Sequence, residues 1–178
     1  MQGVVPYPQE EARKYRKLHI WTDITMGEAL DWIAKIYPER EVLIDDRKRL
    51  TYEELLQSAN SLAMALIELG LRPGNTVIMQ LPNVVEYGII FLALQKIGVV
   101  PVLGITRHAH VEIEHFARMA NAVAWIGPSQ YGKIEYLEML KKIKVEVPSL
   151  KHIILVDEND QEKPGTLSYH KLLLQFRK

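Results

Sequence analysis

The sequence predicts an α/β fold: a three-layer domain with a mainly parallel sheet flanked by helices. Three observations carry this. Four short apolar runs, at 76–81, 99–103, 123–126 and 153–156, follow residue 75 at intervals. They are mostly apolar, as parallel strands covered on both faces are, with Thr76 and Gln80 the polar residues among them. Segments of helical period lie between them, and the connectors are short enough for right-handed crossovers.

The elements before residue 75 are read from caps and stripes. Pro6 and Pro8 mark an irregular start, followed by a short polar helix over 10–18. Thr25 and Glu28 stand three apart as a capping box, in which the Thr oxygen takes a free backbone N–H and the Glu reaches back. The helix they open carries Ala29, Leu30, Ile33, Ala34 and Tyr37 on one stripe, and Pro38 stops it. Residues 41–45 and 49–50 read as a hairpin around Asp45, Asp46, Arg47 and Lys48. A second capping box, Thr51 with Glu54, opens a helix over 52–69 with Leu55, Ala59, Leu62 and Leu66 at helical spacing. Gly70 stands where a left-handed cap is wanted.

After the turn at 72–75 the alternation begins. Asn83 is positioned to cap a helix running to residue 97, which is apolar nearly all round and so belongs between layers. Gly98 ends it. Helices are expected over 110–120 and 133–144, a polar loop over 157–165, and a closing helix over 168–177. We read 1–178 as a single domain, with 1–24 as an arm and short helix and 25–178 as the α/β body. There are no internal repeats.

Composition narrows the function classes. Lys+Arg and Asp+Glu are both 22 in 178 residues, so the formal charge is zero and the electrostatic case for a nucleic-acid partner is absent. No polybasic segment addresses an anionic membrane, and the longest apolar run is too short to span a bilayer. There is no cysteine, which removes disulfides, thiolate metal sites and cysteine nucleophiles. A cytoplasmic location is the expectation.

Few residues stand out as chemistry. Gly127, Pro128, Ser129, Gln130, Tyr131, Gly132 and Lys133 meet the G-x-x-x-x-G-K spacing between a strand and a helix. That makes Gly127, Gly132 and Lys133 the candidate nucleotide-binding set. Ile134 stands where Ser or Thr would hold magnesium, and Pro128 removes a backbone donor, so a plain strand-to-helix turn competes with a phosphate loop. His110 and Glu114 share a helix face, whereas His115 points about 140° away, so no metal set is expected. His108, in the loop after a strand, is the candidate substrate-adjacent residue, because ligands of such sheets collect beyond the carboxyl ends of strands. Ser129 fails G-x-S-x-G at Tyr131. No catalytic residue is assigned from pattern alone.

A longer pattern says more. Leu50, Thr51, Tyr52, Glu53, Glu54 and Leu55, then Gly70, Leu71, Pro73 and Gly74, resemble the opening block of the adenylate-forming ligases. The stretch from Val77 through Pro82 and Asn83, and that from Phe91 to Gly98 with Val100, Pro101 and Val102, resemble the blocks that follow. Pro6, Tyr7, Pro8, Glu11, Tyr15, Arg16, Lys17 and Trp21 are similar to the start of 2,3-dihydroxybenzoate–AMP ligases. That branch shows A-L-P-x-H-R after its P-V strand. Residues 104–109 match it at His108 and depart at Thr106 and Ala109.

The resemblance implies the N-terminal subdomain of an enzyme that activates an aryl acid with ATP and magnesium for siderophore assembly and passes it to a carrier protein. The phosphate loop, aryl-acid pocket, ribose-binding Asp and catalytic Lys of that family would lie beyond residue 178. The expectation is therefore an N-terminal fragment, inactive alone and without a cofactor of its own. Its partners would be the C-terminal portion and, through exposed apolar surface, a second copy. A stand-alone nucleotide-binding or interaction module is the alternative.

Overall fold

The computed structural model describes residues 5–157 and 163–176. The first four residues, part of the polar loop at 157–165 and the end of the closing helix lie outside the described residues.

Local signals set the first half. Helix α1 (Gln9–Lys17) buries Ala12, and Tyr7, Tyr15 and Trp21 cluster beside it with ring centroids 5.0–6.2 Å apart. Helix α2 (Met26–Ile36) starts at the Thr25–Glu28 capping box, with both reciprocal bonds formed. Strands β1 (Glu41–Ile44) and β2 (Arg49–Thr51) pair antiparallel. Helix α3 (Tyr52–Glu68) starts at the second box, Thr51 with Glu54. Gly70 follows it at φ +99°, and Leu71 N–H bonds back to the Leu66 carbonyl at 3.0 Å, closing the helix as the sequence required.

The second half is the sheet. Strands β3 (Thr76–Met79), β4 (Val100–Leu103), β5 (Ala124–Gly127), β8 (His152–Leu155) and β9 (Leu167–Ser168) form one sheet in the order β4-β3-β5-β8-β9. All four pairings are parallel. Helices α4 (Val85–Lys96), α5 (His110–Met119), α6 (Tyr136–Glu146) and α7 (Tyr169–Gln175) complete the layers.

Strand alternation sorts the core into two. Val77, Met79, Ala124, Ile126 and Ile154 pack on one face with residues of α2, α3, α4 and α7. Ile78, Trp125, Ile153 and Leu155 pack on the other with α5 and α6. Each buried large aliphatic chain stabilises by about 1.5–3 kcal/mol, so neither face can be left uncovered.

Four expectations are corrected. The helix expected from residue 133 starts at Tyr136, because a hairpin of β6 (Gln130–Tyr131) and β7 (Ile134–Glu135) precedes it. Strand β9 was not expected, since two residues of pairing leave no period to read. Asn83 does not cap α4. Val84 holds the N-cap position without a side-chain bond, and the cap comes from the β1–β2 turn, as described below. Lastly, α4 is not enclosed all round: Ile90, Ala93 and Leu94 are fully buried, while Tyr87, Phe91 and Leu92 are half-covered.

Candidate functional site

The carboxyl ends of the parallel strands open into two hollows that meet at Leu81 and Pro82, just past β3. The larger, about 560 Å³, is lined by Asn83 and Tyr87, by Leu103 at the end of β4 with Gly104, Ile105 and Thr106 beyond it, and by Tyr131 of the small hairpin. The smaller, about 210 Å³, lies toward β5 and β8. It is lined by Arg47, Glu86, Pro128, Asp157 and His170 among others. This is where a parallel α/β sheet gathers ligands, since neighbouring connections leave the strand ends in opposite directions.

The rim of the larger hollow is held from inside. Gln80 is fully buried at the end of β3. Its amide oxygen accepts from the Trp125 indole N–H at 3.0 Å, and its amide nitrogen donates to the carbonyls of Ile105 at 2.8 Å and His108 at 2.9 Å. The Tyr136 hydroxyl donates to the Thr106 carbonyl, and Gly104 N–H bonds to the Met79 carbonyl at 2.9 Å. Burial pushes the Tyr136 hydroxyl above its ordinary range, with Tyr131 adding in the same direction, so it stays a donor.

The smaller hollow is charged. Glu86, 2% exposed, receives Lys48 at 2.6 Å and Arg47 at 2.9 Å. Burial alone would raise its carboxyl, but Lys48, its own backbone N–H and Arg47 outweigh that and hold it below the usual range. Asp157 accepts from Ser129 N–H at 2.7 Å and from Lys163 at 3.1 Å. Burial pushes Asp157 up, and these partners bring it below its ordinary value.

The residues singled out from the sequence separate in space. Gly127, Gly132 and Lys133 do not form a loop at a helix N-terminus. Gly127 is the last residue of β5, and a Cβ there would lie 2.4 Å from the Gln80 carbonyl oxygen and 2.6 Å from the Trp125 ring. Its glycine is a clearance for Trp125. Gly132, at φ +59°, makes the β6–β7 turn together with Lys133. The strand-to-helix context behind the phosphate-loop reading is thus replaced by a hairpin. His108 sits on the loop past β4 but does not line the larger hollow. Its ring meets Phe116 edge-on at 5.2 Å, and its Nδ1 is buried without a hydrogen-bond partner. Ser129 Oγ accepts from Lys163 at 2.5 Å, that ammonium is also held by Asp157, and the Ser129 side chain bonds to the Asp157 carboxylate as well. His110 and Glu114 pair at 3.2 Å, as expected.

Among the described residues, no three His, Asp or Glu side chains converge to hold a metal ion. Among the described residues, no helix is long and apolar enough to cross a membrane.

Pattern reading missed Gln80, Trp125, Tyr136, Glu86 and Asp45. One signal was present: Gln80 and Glu86 are polar residues in segments that must be buried, and such residues require partners.

The fold is a parallel α/β scaffold with a crevice at the carboxyl ends of its strands. Comparison with known proteins supplies the family: residues 30–174 match the family model described as AMP-binding enzyme, and the chain belongs to that family. It is 33% identical over 155 residues to triostin synthetase I of Streptomyces triostinicus, covering 87% of this chain and 29% of that protein. It is 32% identical over 164 residues to the 2,3-dihydroxybenzoate-AMP ligase of Bacillus subtilis, covering 92% of this chain and 30% of the ligase. The apo structure of MbtA from Mycobacterium smegmatis superposes with a TM-score of 0.87 at 29% identity, over 97% of this chain and 31% of that one. The chain thus spans about 30% of the length of the curated relatives it matches.

Proposed function

We propose that this chain serves in the ATP-dependent activation of an aryl carboxylic acid, of the 2,3-dihydroxybenzoate kind, to its acyl-adenylate. In that reaction a carboxylate oxygen bonds to the α-phosphorus of ATP and pyrophosphate leaves. The chain's part is a rigid layer that presents the crevice at the strand ends. Gripping the triphosphate, binding magnesium and handing the acyl group to a carrier-protein thiol fall, on this reading, to a remaining portion, the chain spanning about 30% of the relatives' length. On this reading residues 1–178 form one domain, an N-terminal fragment of such a ligase that works in the cytoplasm and is inactive alone. Leu103 and Ile105, 52% and 60% exposed beside the crevice, are then the surface it offers to the remaining portion.

The observation that carries the reading is the 32% identity to the dihydroxybenzoate ligase across nearly the whole chain. The test is ATP–pyrophosphate exchange with 2,3-dihydroxybenzoate, salicylate and benzoate as acids. The chain alone should give none. A chimera joining it to the remaining two thirds of the Bacillus subtilis ligase should exchange with at least one of them. Exchange by the chain alone, or none by a folded chimera, refutes the proposal.

A further inference from the structure

We propose that Gln80 is a positioning residue that sets the rim of the crevice, with Trp125 deciding which way its amide faces. The consequence for binding rests on the proposed ligase function, in which this crevice borders an acid site completed by the remaining portion.

The argument begins with cost. A glutamine buried just past a covered strand is expensive unless its N–H and side-chain amide find partners. Here both do: Gln80 N–H bonds to the Ile126 carbonyl at 2.9 Å, and the side-chain amide uses its oxygen and both hydrogens. An indole can only donate, so the group facing Trp125 must be the oxygen. Both N–H donors are then aimed at the loop past β4. The two carbonyls they reach, Ile105 and His108, are already drawn together by the 3.0 Å bond from His108 N–H to Ile105. Tyr136 ties Thr106 between them from the side of α6. A surface loop that would ordinarily be mobile is thereby set before any ligand arrives. Gly104, Ile105 and Thr106, the part of this loop that lines the larger hollow, inherit that order.

Releasing the loop should make a ligand order it on binding, which weakens affinity and leaves the chemical step alone. Gln80→Met keeps the length and volume while removing the amide. In the chain itself, hydrogen exchange at the His108 amide should speed up about tenfold or more, with the Val77 and Ile126 amides of the sheet unchanged. Trp125→Phe, which leaves Gln80 free to turn over, should act in the same direction and serves if Gln80→Met fails to fold. The double variant should exchange no faster than Gln80→Met, because both act through one chain of bonds. In the active chimera, Gln80→Met should raise KM for the acid about tenfold with kcat within about twofold. Unchanged His108 exchange in a folded variant overturns the positioning role. Faster exchange with unchanged KM overturns its link to binding. An inactive chimera refutes the ligase reading, while exchange in the chain still decides Gln80.

Discussion

The Asp45 carboxylate, in the β1–β2 turn, accepts the backbone N–H of Val85 at 2.9 Å and so caps a helix forty residues further along the chain. The same carboxylate also accepts from Arg47 N–H at 2.8 Å and Lys48 N–H at 2.9 Å, which shapes the turn. Arg47 and Lys48 then reach Glu86 one residue into the helix. One turn therefore supplies both the cap of α4 and the partners of its buried acid.

Removing that cap should be felt across the domain. Asp45→Ala is expected to lower Tm by about 5 °C, and Asp45→Asn, which keeps an acceptor oxygen, by less. The Val85 N–H first, then that of Arg47, holds the Asp45 carboxyl well below its ordinary 3.8. Its contribution is complete above that value and is lost as pH falls through the folded-state pKa. Thermal melts of Asp45→Asn in acid should therefore fall less steeply than those of the parent.

Gly127→Ala tests whether that glycine is a clearance. The new methyl would sit 2.4 Å from the Gln80 carbonyl oxygen and 2.6 Å from Trp125, and neither can swing away. A loss of roughly 3 kcal/mol or more is expected by denaturant unfolding. Gly132→Ala, with nothing within 4 Å, should cost only the strain of φ +59°, about 1 kcal/mol. Equal costs for the two would mean that Trp125 does not cross Gly127.

The sidedness of α4 can be measured by truncation. Leu94→Ala, at a fully buried position, should cost about 2–5 kcal/mol. Leu92→Ala, half-covered against the same core, should cost about half as much. Equal losses in urea unfolding would restore the enclosed helix that composition alone suggests.

His152 opens β8, and burial, then Lys144 and Lys151, pushes its imidazole below 6.5. The unfolded chain therefore binds the proton first. Stability should be complete above about 6.5 and should decline as pH falls through that value toward the folded-state pKa. His152→Gln should remove this decline in stability measured between pH 7 and 5.

What was legible in the sequence was local. The Thr25–Glu28 and Thr51–Glu54 boxes, Gly70 and the apolar runs of β3, β4, β5 and β8 each carry their instruction within a few residues. The crevice could be expected at the strand ends for the same reason, from topology. The 127–133 spacing left a phosphate loop and a plain turn both open because it is one-dimensional, whereas its glycines answer to the Gln80 carbonyl, the Trp125 ring and a hairpin turn. His108 was rightly placed on the loop past β4, but its direction, toward Phe116, depends on a helix that packs later.

By itself the sequence determined the order and kind of most elements and the family pattern, because caps, periods and conserved-type blocks are contiguous. Only the tertiary structure decided that Asp45 caps α4, that Trp125 orients Gln80, and that Gln80 holds the loop at residues 105–108. Those are hydrogen bonds between groups 25 to 45 residues apart, and such partners are chosen by packing the two faces of the sheet, which no local pattern specifies.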